Sequence, residues 1–361
     1  MKILAFPRDH NPYQELLYGA MRRQNVAAGY LEGPTGSHTV NLLMLPLMLT
    51  RARLQGYNTL HVHWTFPFSL PFSLPSSRSA AVRACMEFWA AGLWLLAKLY
   101  GMRLIWTAHN VRPHEPLFLN DARAHRFLGR LSDRIIVHTQ AARQQLASIG
   151  LGSHRVAVIP HGNYVGMYPD TVTKQEARNK LGITSGGTVL LFFGLIRPYK
   201  GIEALLTAFE ALDKDLPDVR LVIAGSVQDE AMRRRLETAA AKNPKLHIQL
   251  TYVADDQLQY LFRAADYTVL PYERSTTSGV SLLACSFDCP IIAPQQAAFL
   301  DIPEAAKITY AAGRLADGLR QAAAAGAERQ HRQSRAAREY AAALSWDTIA
   351  AETITCIEAT P

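Results

Sequence analysis

A chain of 361 residues is too long for one ordinary core of about 150 residues, so two domains are expected. At 49% hydrophobic, 19% charged and 9% aromatic, its composition excludes the disordered and fibrous classes. The net charge of +8 is uneven: residues 1–170 hold 17 Lys/Arg against 8 Asp/Glu, and residues 171–361 hold 21 against 22, so a basic module suited to a polyanion, an acidic ligand or an anionic membrane surface precedes a neutral one.

In chain order, residues 2–6 (KILAF) read as a strand rather than a cationic-then-apolar leader, so no secretory signal is expected. Further strands are expected at 59–63, 103–107, 134–139 and 156–159, with helices at 13–24, 79–100, 122–131 and 141–149 between them. The longest charge-free apolar run in those helices, residues 88–97, falls short of the roughly 18 residues a membrane span needs. A polar, glycine-containing stretch at 162–187 reads as a linker. Beyond it strands are expected at 188–193, 220–224, 247–250, 267–270 and 291–293, with helices at 202–213, 229–241, 255–264 and 278–286. The Ala/Arg/Gln-rich residues 313–344 are expected to form one helix. This alternation predicts βαβ units and parallel sheets in both halves, an α/β class of two doubly wound domains. Four cysteines make no disulfide framework; Cys285 and Cys289, four apart on an expected helix, read as small buried hydrophobes.

The strongest motif is Phe193-Gly194-Leu195-Ile196-Arg197-Pro198-Tyr199-Lys200-Gly201, between an expected strand and helix. Gly194 lets backbone approach a ligand, a guanidinium forks two phosphate oxygens and an ammonium adds a point charge, so Arg197 and Lys200 suit a diphosphate. Neither a Walker loop nor a GxGxxG fingerprint is present. After a later strand, the run from Leu270 to Val280 brings Thr277 and Ser278 hydroxyls and the N–H groups of Gly279 and Val280 to a helix start, a second anion cradle that doubles as an N-cap. In the first half His109, Arg112, His114 and Glu115 follow one strand and His161, Asn163 and Tyr164 another; polar groups grouped at adjacent strand ends point to a ligand site. His61 and His63 share one strand face beside Trp64, without a third ligand for a metal, and Asp213-Lys214-Asp215 reads as a solvated turn.

With these motifs in place, the sequence resembles a GT-B glycosyltransferase, whose fold is two Rossmann-like doubly wound domains facing a cleft. FFGLIRPYKG (192–201), LVIAGS (221–226), the run 252–272, SGVSLLA (278–284) and PIIAP (290–294) are similar to the nucleotide-sugar domain of the GT4-like group. Asn11-Pro12-Tyr13 with Leu17-Tyr18, LHVHW (60–64), His109-Asn110 with Pro113-His114-Glu115, and His161-Gly162 with Tyr164 resemble bacterial exopolysaccharide, xanthan-type GDP-mannose β-mannosyltransferases (family GT94). The resemblance implies an N-terminal acceptor domain at 1–165, a C-terminal nucleotide-sugar domain at 166–340 and a terminal helix at 341–361 returning to the first domain. Retaining members of the wider group carry two glutamates eight positions apart; aligning on residues 290–293 puts Ser275 and Leu283 there, with Glu273 out of register. The implied reaction is therefore an inverting transfer of mannose from GDP-mannose, without metal or cofactor.

On this reading the catalytic base is Glu115, then Asp9, His10 or Glu15. The donor is held by His109, His161, Gly194, Arg197, Lys200, Tyr252, Val253, Thr277, Ser278, Gly279 and Val280. The acceptor, a glycan or lipid-linked saccharide, meets Asn11, Tyr13, His63, Trp64 and His114. The basic first half is expected to face an anionic membrane or an acidic glycan acceptor, in the cytoplasm or on the cytoplasmic face of the inner membrane, and no nucleic-acid partner is expected. A retaining transfer from a UDP- or GDP-sugar, and a non-catalytic sugar-nucleotide or nucleic-acid binder, are the alternatives.

Overall fold

Apolar runs of three to six residues set between amphipathic helices form parallel strands covered on both faces. The computed structural model describes residues 1–9, 11–64, 80–109, 118–152, 155–183, 186–212, 218–273, 275 and 278–359. The chain divides into two compact units, Met1–Gly162 with Trp346–Pro361, and Asn163–Ser345. In the first, β1 (Lys2–Phe6), α1 (Pro12–Arg23), β2 (Ala27–Tyr30), α2 (His38–Leu54), β3 (Thr59–Val62), α3 (Ala80–Leu99), β4 (Arg103–Thr107), α4 (Asp121–Leu131), β5 (Arg134–Val137), α5 (Gln140–Ser148) and β6 (Val156–Val158) follow in order. Their strands form an all-parallel sheet, β2-β1-β3-β4-β5-β6.

The second unit runs α6 (Lys174–Lys180), β7 (Thr188–Phe193), α7 (Ile202–Leu212), β8 (Val219–Ala224), α8 (Glu230–Lys242), β9 (Leu246–Gln249), α9 (Leu258–Ala264), β10 (Tyr267–Val269), α10 (Gly279–Ser286), β11 (Ile291–Pro294), β12 (Lys307–Tyr310), α11 (Leu315–Ala323) and α12 (Gly326–Ala343). Its all-parallel sheet has the order β12-β11-β10-β7-β8-β9. The last helix, α13 (Trp346–Glu358), belongs to the first unit, where it packs beside α1.

Side-chain alternation along the strands assigns the faces of the first sheet. Leu4, Leu60, Leu104 and Ile135 pack with α2, α3, α4 and α5, while Ile3, Ile105, Ile136 and Ile159 face α1 and α13. Each such buried aliphatic side chain stabilises the unit by about 1.5–3 kcal/mol.

Several elements depart from the sequence expectation. Residues 162–187 contain α6, started by a full capping box between Thr173 and Glu176. Residues 313–344 form two helices, because Gly326 takes the left-handed conformation at φ 63° and interrupts the chain of i→i+4 bonds. The expected helix at 79–100 is α3, whose twenty residues are long and apolar enough by composition to cross a bilayer. Met86, Ala90, Leu93, Trp94 and Ala97 nevertheless pack it into the core as the crossover between β3 and β4.

Candidate functional site

In a doubly wound sheet, ligands bind outside the strand carboxyl ends where the strand order reverses. That point lies between β1 and β3 in the first unit and between β7 and β10 in the second. Each of the sequence motifs that the structure describes can be placed against one of these two points.

In the second unit, Gly194 ends β7 at φ 106°, and a Cβ added there would stand 3.1 Å from Lys200 Nζ and 3.6 Å from Val280 Cγ2. The strand end, the lysine and the start of α10 therefore converge on one point. Gly225 (φ 143°) and Gly201 (φ 69°) allow that convergence, since a Cβ would lie 2.1 Å from Gly194 O and 1.9 Å from Pro271 O respectively. The Glu273 N–H donates to Tyr199 O at 3.0 Å and ties the two loops together. Gln296 Nε2 donates to Tyr272 O and Glu273 O, both at 2.9 Å. Lys200 Nζ sits 5.7 Å from the centre of the Tyr272 ring. Burial, and then the neighbouring charge of Arg197, push the Lys200 ammonium down to about 8. Ser278 caps α10 by accepting from Ser281 N at 3.2 Å, leaving the first N–H groups of the helix, at Gly279 and Val280, without intrahelical partners. Tyr252 is exposed and Val253 buried in the loop after β9. Thr277 lies outside the described residues, as does Asp213-Lys214-Asp215. Cys285 and Cys289 are both buried, Cys289 Sγ lying 3.3 Å from Thr268 Oγ1.

In the first unit four consecutive strands run into a histidine: His63 after β3, His109 after β4, His138 after β5 and His161 after β6. Alternation sets all four, with His61 and Thr107, on the face toward α1 and α13. There Tyr18 of α1 lies with its hydroxyl 2.9 Å from His61 Nδ1 and 2.6 Å from His63 Nε2. Thr107 Oγ1 is 2.7 Å from His61 Nε2. His63 Nδ1 is 3.1 Å from His109 Nε2, His109 Nδ1 is 3.1 Å from His138 Nε2, and His138 Nδ1 is 2.9 Å from Ile159 O. Tyr13 is buried at the centre of the row, its ring edge-on to His63, His109 and His161 and to Trp346. Gly162 makes room for Trp346, for a Cβ there would come within 2.5 Å of the indole. Burial lowers every imidazole: His61 and His161 to about 3, His138 to about 4, and His63 and His109 well below the ordinary histidine range. The row is therefore neutral. Among the described residues no group of three or more His, Cys, Asp or Glu is arranged to hold a metal ion; the hydrogen-bonded imidazole nitrogens face one another and not a common point.

The structure places Trp64 flat against His109, ring centres 4.5 Å apart and planes 9° from parallel. Asn11 caps α1 by accepting from Tyr13 N at 3.0 Å. Asp9 N donates to Gln14 Oε1, while buried Gln14 donates to Pro7 O at 2.7 Å and braces the loop after β1. Glu15 is exposed and pairs with Arg8 at 3.3 Å. His10, His114 and Glu115 lie outside the described residues. The sequence reading did not single out His138, Thr107 or Gln14 as site residues. The recurrence of a histidine at four successive strand ends was the available signal for His138; Gln14 looks like an ordinary helix residue.

Over residues 173–340 the sequence matches the family described as Glycosyl transferases group 1, and over residues 49–163 the one described as Glycosyltransferase Family 4. A GDP-mannose:glycolipid 4-beta-D-mannosyltransferase of Xanthomonas campestris pv. campestris is 32% identical over 246 residues. That stretch is 68% of this chain and 64% of the relative, so the chain matches just under two thirds of the relative's length. Among solved structures, the sucrose-phosphate synthase of Thermosynechococcus elongatus superposes with a TM-score of 0.75 at 15% identity, covering 99% of this chain and 98% of that one. Anabaena HepE with UDP and glucose superposes at 0.72 and 14% identity, covering 99% of each chain. At such identities the likeness is one of fold.

Proposed function

The chain belongs to the GT-B glycosyltransferases, a family 4 domain followed by a group 1 domain, and from that premise we propose that it moves mannose from GDP-mannose to a saccharide carried on a lipid, leaving a β-mannosidic bond. The observation that carries the reading is Lys200 at the glycine-opened end of β7, beside the start of α10 and with Arg197 as its charged neighbour, at the switch point of the second unit. Two cations and a helix N-terminus suit the charge of a nucleoside diphosphate. The relative named for GDP-mannose supports the choice of donor.

The transfer is a single displacement. A lone pair of the acceptor hydroxyl attacks the anomeric carbon from the face opposite the leaving group, the bond from that carbon to the diphosphate oxygen breaks, and the hydroxyl proton passes to a side-chain base. Arg197, Lys200 and the N–H groups of Gly279 and Val280 stabilise the charge that develops on the departing diphosphate, so the step requires no divalent cation. Glu115 is the proposed base, with Asp9, His10 and Glu15 as the other candidates. Ser275 and Leu283 at the positions aligned with the retaining group's glutamates support inversion. The basic charge of the first half and the exposed apolar side chains on α2 and α3 support a lipid-linked acceptor and peripheral attachment to the cytoplasmic leaflet of the inner membrane.

The test is turnover of GDP-mannose, UDP-glucose and UDP-galactose with a lipid-linked saccharide in the presence of EDTA, with the new anomeric centre read by NMR. GDP release and a β-mannoside are expected, and Glu115→Gln is expected to abolish turnover with GDP affinity retained. An α-linked product sinks the inversion, and turnover confined to UDP-sugars sinks the donor assignment.

A further inference from the structure

The hydrogen bonds of the histidine row have a direction, and one end fixes it. A carbonyl oxygen only accepts, so His138 Nδ1, 2.9 Å from Ile159 O, carries a proton. His138 is neutral, so its Nε2 holds a lone pair and His109 Nδ1 donates to it. His109 Nε2 then accepts from His63 Nδ1. His63 Nε2 in turn accepts the Tyr18 hydroxyl proton at 2.6 Å, which leaves the Tyr18 oxygen to accept from His61 Nδ1. His61 Nε2 accepts from Thr107. Every bond contains one proton, all four imidazoles are the Nδ1–H tautomer, and all the donors point the same way. Bonds polarised in one direction reinforce one another.

Two consequences meet at His109. Its two ring nitrogens are both engaged within the row, so while the chain is intact it takes up no hydroxyl proton. Held at both nitrogens, its ring cannot rotate, and Trp64 lies parallel against it. Trp64 is half-buried at the end of β3, beside the switch point of the sheet. An indole held in a fixed plane at such a place offers a pyranose the flat, electron-rich surface on which its C–H-bearing face stacks.

We propose that Thr107, His61, Tyr18, His63 and His138 are positioning residues for saccharide binding: together they lock His109 in one tautomer and one plane, as the back plate that presents Trp64 to the acceptor sugar. The proposal rests on the reading of the first unit as the acceptor side. It separates two roles that the sequence merges, because the row orders an aromatic platform and leaves proton transfer to a base outside the row.

The experiment is performed on the full chain labelled with ¹⁵N-histidine. Long-range imidazole spectra are expected to show Nδ1–H for His61, His63, His109 and His138; Nε2–H on any of them overturns the proposal, and this readout needs no turnover. Kinetics use GDP-mannose and the best acceptor from a panel of octyl glycosides (glucoside, mannoside and glucuronide). Tyr18→Phe removes the hydroxyl that links His61 to His63. It is expected to raise the acceptor KM about tenfold, with the GDP-mannose KM and kcat within about twofold of wild type. His63→Leu should do the same, and His63→Asn, which keeps an N–H near the place of Nδ1, should restore the acceptor KM to within about threefold. An unchanged acceptor KM in Tyr18→Phe, or equal rises in both KM values, overturns the proposal. A chain that shows the Nδ1–H spectrum yet turns over no GDP-mannose counts against the proposed donor and leaves the tautomer assignment standing; acceptor binding is then read by quenching of Trp64 fluorescence. Quenching by the octyl glycosides that Tyr18→Phe weakens about tenfold supports the proposal, and quenching that it leaves unchanged overturns it.

Discussion

Lys200 is a partly buried cation beside a second cation at the end of β7. Burial and the charge of Arg197 both favour its neutral form and hold it near 8. A diphosphate reverses that balance, because the charged ammonium then faces negative oxygens and not a like charge. In the free protein Lys200 is mostly charged below pH 8 and mostly neutral above it, so binding at higher pH must take up a proton. GDP affinity is therefore expected to be flat between pH 6.5 and 7.5 and to weaken by up to about tenfold per unit above pH 8. Titration calorimetry in two buffers of different ionisation heat should register the proton taken up at pH 8.5. Lys200→Arg keeps the charge and should flatten the profile, whereas Lys200→Ala should flatten it at lower affinity. A wild-type profile that stays flat to pH 9.5 removes Lys200 from the phosphate site.

Among elements, α2 and α3 stand out for what they expose. Seven of the twelve exposed large hydrophobics of the described residues lie on these two helices, Leu43 (63%), Leu47 (69%), Phe88 (79%) and Leu99 (81%) among them. A groove of about 290 Å³ runs between them, lined by Pro46, Trp89, Leu93, Leu96 and Leu99. No Asp or Glu occurs between Glu32 and Glu87, while Arg51, Arg53, Arg78 and Arg83 do, and Glu87 is itself tied to Arg123 at 2.6 Å. Apolar, cationic and acid-poor is the chemistry of an interfacial surface. The chain is expected to co-sediment with vesicles containing anionic phosphatidylglycerol but not with pure phosphatidylcholine, and Leu43→Glu with Leu47→Glu should reduce pelleting at least tenfold. Pelleting that the paired substitution leaves unchanged sinks the role of this face. The same helices mark the limit of what the sequence alone conveyed. Strands such as LLFF and LVIA are legible because buried parallel strands are continuous apolar runs. The middle of α2, residues 42–49, is an unbroken apolar run that contains Pro46, so it has no 3.6-residue stripe to find. Strand β2 is a four-residue edge strand, three of whose residues are Ala or Gly with little β propensity. At the site, the Arg197 and Lys200 loop was legible because Gly, Arg and Lys sit together in sequence. Tyr18, His61 and Thr107 act together only through packing of α1 on the sheet, which no local spacing encodes.

At the scale of the molecule, ten of the twelve histidines and all five tryptophans fall in the first unit. Its acid response is therefore separable from that of the second unit, and fluorescence reports the first unit alone. A histidine whose pKa is lower in the folded state leaves the unfolded chain to bind the proton first. Stability is thus full above about pH 6.5, the unfolded value, and declines as pH falls toward the folded values, about 3 for His61 and about 4 for His138. Each such group costs about 1.4 kcal/mol per pH unit in that window. By pH 5.5 these two buried rings together remove on the order of 3 kcal/mol, a sizeable share of the roughly 5–15 kcal/mol that holds a domain folded. The urea midpoint read by tryptophan fluorescence is expected to fall markedly between pH 7.5 and 5.5, while a second transition, read by far-UV circular dichroism and assigned to the other unit, shifts much less. His61→Gln, which cannot take up a proton, should lower the midpoint at pH 7.5 but make it less sensitive to acid. A fluorescence midpoint that is the same at both pH values would show that the histidine row is not held neutral by burial.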